Sequence, residues 1–171
     1  MKTRTLLLIT ILALAAPAFA ASPTTPGEYP VKAALLVKFV DLVEWPANAE
    51  SMTQPSFSVC VLGKNPFGQE LEKAFAGKKH AGKPVVSLHV TRAAQVRLCG
   101  VLFVGGESGG QVAKRFADAP VLTVGEAQGF AGGGGIIEFV RDQGRIRFVV
   151  DSAAATTAGL KLDPQLAQFT K

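Results

Sequence analysis

With 171 residues, nearly half of them apolar, the chain is long enough to bury one substantial core, which excludes an intrinsically disordered protein. Its formal net charge of +5 comes from 18 Lys and Arg scattered against 13 Asp and Glu, without the dense basic stripe that a nucleic-acid interface needs. Two cysteines and two histidines, widely separated, are too few to build a zinc site, and no cofactor motif is complete.

The first twenty residues read as an export signal. Lys2 and Arg4 supply the positive start, residues 6–16 an apolar run, and Ala18-Phe19-Ala20 the small residues around a cleavage position. Crossing a bilayer takes about 20 apolar residues, and this run is shorter and is followed by Pro17. Cleavage after Ala20 is therefore expected, leaving a soluble chain of net charge +3, outside the cytoplasm and not inserted in a membrane. Residues 21–27, with Pro23 and Pro26, read as a flexible leader, and residues 28–171 as a single compact domain without internal repeats.

Residues 28–43, rich in Ala, Leu and Val with Lys32 and Lys38 on one polar face, predict a helix ending before Trp45-Pro46. Residues 57–62 predict a buried strand stopped by Gly63, and Asn65-Pro66 opens a helix that contains Leu71, Ala74 and Phe75. Strands follow at 84–90, 100–104 and 120–124, with a helix at 110–117 between the last two. Strands alternating with helices predict an α/β fold, a largely parallel sheet with helices on both faces. Residues 135–140 and 145–150, joined by 141–144, predict an antiparallel hairpin at the C-terminal edge, and 164–169 a last helix.

Four groups of residues carry candidate chemistry. An even pair of cysteines in an exported chain reads as a disulfide, Cys60 to Cys99, against the alternative of two buried thiols; closing a loop of about 40 residues is worth about 4 kcal/mol. The glycine run 132–135 invites a phosphate but precedes a strand, so a tight turn is the simpler reading. Gly105, Gly106, Ser108 and Gly109, after a parallel strand, mark a possible ligand crevice, since open α/β sheets bind ligands at the carboxyl ends of their strands. Ser108 among those glycines has no histidine after it, which counts against a hydrolase nucleophile. Trp45 reads either as a staple of the first helix or as a partner anchor, and Arg145, Arg147 and Phe148 on the edge hairpin form a partner or dimer surface. The cluster Lys78, Lys79, His80 and Lys83 reads as solvated turn charge.

Taken in order, Glu44-Trp45-Pro46, the strand 57–62 with Gly63 and Asn65-Pro66-Phe67, Cys99 before an apolar strand, residues 122–125, the glycine run and Arg147-Phe148 resemble the YfiR family of exported bacterial proteins. The resemblance runs from about Tyr29 to Phe169. It implies a periplasmic α/β domain, often a homodimer, that restrains an inner-membrane diguanylate cyclase by engaging its periplasmic domain and so lowers cyclic di-GMP synthesis. Cys60 and Cys99 match the family's more general cysteine pair. A second pair near the C-terminal strands, present in some members, is missing here, and Asp151 stands where the family pattern has Asn. The expected function is thus a noncatalytic negative regulator without cofactor. The alternative is a periplasmic small-molecule or nucleotide sensor acting on another membrane receptor.

Overall fold

The structure is a computed structural model that describes residues 27–106 and 109–169. The export signal at 1–20, all of the leader except Gly27, and Ser108 lie outside the described residues.

Helix α1 (Glu28–Asp41) buries Ala33, Leu36, Phe39 and Val40, a stripe at helical spacing. It stops two residues short of the predicted end because Val43 and Glu44 form a strand, β1 (Val43–Glu44), that pairs antiparallel with β9 (Lys161–Leu162). A short helix α2 (Glu50–Thr53) leads into β2 (Phe57–Leu62), and α3 (Glu70–Phe75) follows it, starting four residues after Pro66. The turn at Asn65 is closed by its own side chain, whose Oδ1 accepts from Phe67 N–H at 3.0 Å, so the helix begins later than the proline suggests. Strands β3 (Lys79–His80) and β4 (Lys83–Val90) form a tight hairpin, and a 3-10 turn at Ala93–Leu98 precedes β5 (Cys99–Val104). Helix α4 (Gly109–Lys114), β6 (Leu122–Gly125), β7 (Ile137–Asp142), β8 (Arg145–Val150), α5 (Ser152–Thr157) and, after β9, α6 (Pro164–Ala167) complete the chain.

Seven strands form the main sheet in the order β3-β4-β2-β5-β6-β7-β8, with β4, β2, β5, β6 and β7 parallel and β3 and β8 antiparallel at the two edges. The chain runs from β2 outward to β4, then returns to the other side of β2 for β5 and continues through β6 to β7. That reversal places the topological switch point between β2 and β5, the order of a flavodoxin-like doubly wound sheet. Right-handed crossovers then put α3 and α4 on opposite faces. The buried side chains divide the same way. One cluster joins α1, α3, α5 and α6 to the first face, with Phe39, Phe57, Phe103, Ile137 and Leu166. A smaller cluster on the second face holds Cys60, Cys99, Val96, Phe116 and Phe130.

The hairpin expected at the C-terminal edge is present, with a shorter turn than residues 141–144. Arg141 pairs with Ile146 and Asp142 with Arg145, which leaves only Gln143 and Gly144 in the loop. Both have positive φ, 48° and 75°, the two-residue turn that matches strand twist. The predicted α/β class thus stands, while β1, β3, β9, α2 and α5 are additions that residues of such short runs do not announce.

Candidate functional site

At the switch point the carboxyl ends of β2 and β5 close against one another. Gly105 N–H donates to Leu62 O at 3.0 Å, and a Cβ at Gly105 would lie 2.3 Å from Lys64 O, so glycine here permits direct backbone contact. Gly109 is buried, and a Cβ there would meet the Phe130 ring at 3.0 Å, whereas Gly106 is exposed. The glycines read as a crevice sit where the topology puts one, yet two of the three that are described serve close packing.

The glycine run has an equally internal use. Residues 129–135 wrap around Phe130, whose carbonyl accepts from Gly133 N–H at 3.2 Å and Gly135 N–H at 2.9 Å. The ring fills the space beside Gly135 and Gly125, where Cβ atoms would come within 2.1 and 2.4 Å of it. Gly132 and Gly134 adopt φ of 116° and 104°, a region that L side chains rarely enter. Buried Glu138 then plays the anion: its Oε1 accepts from Gly129 N–H at 3.0 Å and its Oε2 from Ala131 N–H at 3.1 Å. Backbone amides of the kind that cradle a phosphate are thus aimed at a carboxylate of the same chain.

An ionic cluster with a buried centre, Glu28 and Lys32, and more exposed outer members, Glu126 and Arg141, was not anticipated from the sequence and ties the start of α1 to the ends of β6 and β7. Lys32, with a side chain 4% exposed, sits 2.5 Å from Glu28 Oε1 and 2.5 Å from Glu126 Oε2. Arg141 Nη2 reaches Glu28 Oε2 at 2.5 Å, and Tyr29 O–H donates to Glu126 Oε1 at 3.3 Å. Burial pushes the Glu28 carboxyl up, but the hydrogen bonds and charges of Lys32 and Arg141 outweigh it and hold the group below its ordinary value. Burial, reinforced by the charges of Glu126 and Glu28, pushes the Tyr29 phenol up to about 12. Only the Glu28 and Lys32 spacing of four was legible in the sequence; Glu126 and Arg141 arrive from 94 and more positions away.

Cys60 and Cys99 are bonded to each other, across neighbouring strands β2 and β5, and both are buried. Trp45 is only 7% exposed: its indole N–H donates to Gly100 O at 3.0 Å and its ring packs edge-on against Phe57 and His80. The indole therefore belongs to the core and offers no anchor to a partner. Phe148 is half-buried between Phe39 and Phe169, on the face of β8 that looks inward. Arg145 and Arg147 point from the opposite face into solvent, where Arg147 pairs with Asp142 at 2.8 Å. Of the four residues read as a partner surface, the two arginines alone are presented outward. His80, wedged beside Trp45 and Phe57, has its pKa lowered by burial, against a weaker opposing pull from Asp41.

No helix among the described residues is long and apolar enough to cross a membrane. The family whose model matches the chain is described as YfiR/HmsC-like, and the match covers residues 29–171. No curated protein matches.

Proposed function

The chain belongs to the YfiR/HmsC-like family, a periplasmic, regulatory family of diguanylate cyclase signalling, and on that premise we propose that this protein binds the periplasmic domain of an inner-membrane diguanylate cyclase and represses cyclic di-GMP synthesis. The observation that carries this reading is the match across residues 29–171. The Cys60–Cys99 disulfide supports it, because such bonds persist in oxidising compartments. The export signal, with cleavage after Ala20, is part of the same proposal.

The work of the protein is recognition, without catalysis. Binding that prefers the inactive conformation of the cyclase shifts its population; moving a target from almost wholly active to almost wholly inactive takes about a 10⁴-fold preference, about 5.5 kcal/mol. Arg145 and Arg147 on the outer face of β8 are the proposed contact to that domain, and acidic groups there would answer them. A homodimer is the proposed assembly, carried over from the family.

The test is to express the mature protein in an oxidising compartment and measure its binding to the periplasmic domain of a cyclase from the same cell, with cyclic di-GMP compared in cells with and without the regulator. Saturable binding together with lowered cyclic di-GMP is expected. Absence of binding with unchanged cyclic di-GMP would remove that target.

A further inference from the structure

We propose that the outer half of β4, residues 86–90, is a docking edge that takes an acidic, extended segment of a partner protein as an added strand. This goes beyond the cyclase reading and rests on the geometry of β4 and the charge and apolar residues around it. Strand β3 covers only Lys83 and Pro84 of β4. Val85 N–H still finds Lys78 O at 3.0 Å, and the alternation of a ladder then turns the backbone groups of Ser87 and His89 outward. Neither residue's outward N–H has a protein partner among the described residues.

Folded proteins usually blunt such edges with charge, proline or a cover. The opposite edge of this sheet does so: β8 carries Arg145 and Arg147, and Val150 N–H is taken by Phe169 O at 3.0 Å. On β4 the protective Lys83 and Pro84 fall in the half already covered, and residues 86–90 read Val-Ser-Leu-His-Val. The edge that lacks protection is also apolar. Leu88, directly paired with Cys60 on β2, is 47% exposed, and Leu98, ending the 3-10 turn that packs on β4, is 41% exposed.

Charge selects the occupant. No Asp or Glu occurs between residues 76 and 106, a stretch with five Lys and Arg. The acids of α3 lie on the sheet face that Ser87 and His89 share, where Glu70 is paired with Lys73 and Glu72 is exposed, and the five Lys and Arg outnumber them. An incoming strand sets alternate side chains beside Val86, Leu88 and Val90 on one face and beside Ser87 and His89 on the other, so a segment alternating acidic and apolar residues meets both demands. A lipid surface would answer the leucines and the basic charge while leaving the edge amides without partners, which disfavours it.

The experiment titrates the mature, disulfide-bonded protein with an acetylated, amidated octapeptide of alternating glutamate and valine and follows backbone amide shifts by NMR. The same peptide with lysine for glutamate, and phosphatidylglycerol vesicles, are run in parallel. Saturable shifts centred on Ser87 and His89 are expected, with the lysine peptide binding at least about tenfold more weakly. Affinity should fall as salt rises from about 0.05 to about 0.3 M, because the Debye length contracts. Ser87→Pro removes an outward donor and should abolish the shifts; Leu88→Glu, at an exposed site, should weaken binding about tenfold and serves if the proline variant fails to fold. Equal binding of both peptides, shifts centred elsewhere, no response to the acidic peptide, or a response to vesicles alone would each overturn the proposal.

Discussion

Replacing both cysteines, Cys60→Ala with Cys99→Ala, should cost this protein about 4 kcal/mol of folding stability. The two residues are 39 positions apart, and in the chain-entropy description closing such a loop removes about 13 cal/mol/K from the unfolded ensemble, about 4 kcal/mol at 25 °C. Their Cα atoms are 5.9 Å apart, within the ordinary range, so the bond spans neighbouring strands β2 and β5 without pulling them out of place. Domains of this size have about 5 to 15 kcal/mol in total. The loss is therefore a large fraction, and the melting temperature should fall by roughly 8 to 16 °C. Urea unfolding of the mature protein and of the double variant, followed by circular dichroism, measures it. The unfolded variant should also expose more surface, giving a steeper dependence on urea. A loss below about 1 kcal/mol would refute the reasoning and mean that the strands, already held by the sheet ladder, hardly need the cross-link.

Acid should destabilise the fold through Glu28. Its folded pKa is lowered, so its contribution is present above the unfolded value and is lost as pH falls through the folded one; Glu28→Gln should flatten stability below about pH 4.5, as read by urea midpoints across pH. His80 works in the same direction at a higher window: because its folded pKa is lowered, stability should fall as pH drops below about 6.5, and His80→Phe should remove that step. Gly135→Ala places a methyl 2.1 Å from a Phe130 ring carbon and should cost about 1 to 3 kcal/mol by overpacking, seen as a lowered urea midpoint. Arg145→Glu with Arg147→Glu, at exposed positions, should leave the melting temperature within a few degrees while weakening cyclase binding about tenfold or more in a titration; unchanged binding would move the cyclase contact off the hairpin.

The sequence alone determined the class of fold because its central parallel strands, β2 and β5, are buried on both faces. Residues 57–62 and 100–104 read as continuous apolar runs, bounded by glycine and turns, and could be placed without knowing their neighbours. The hairpin was legible from two alternating runs around a short polar turn, and the disulfide from two cysteines in a chain whose start reads as an export signal. The two-residue strands β1, β3 and β9 left no periodicity to read, since such segments are held by what they pair with.

Sidedness and sharing of space were decided only by the tertiary structure. The glycine run read as a tight turn, and only folding shows that the turn closes around Phe130 and the Glu138 carboxylate. Trp45 is aromatic in either reading, and its burial depends on Gly100 and His80, 55 and 35 positions away. Lys32 shows one partner at helical spacing, whereas Glu126 and Arg141 reach the cluster because β6 and β7 end beside the first turn of α1. The exposed edge of β4 is likewise a property of strand order, because a run of Val, Ser, Leu, His and Val becomes an edge only when the sheet ends beside it. Local pattern reports what a segment can form, while burial, pairing and charge neutralisation are relations between segments that only the closed fold creates.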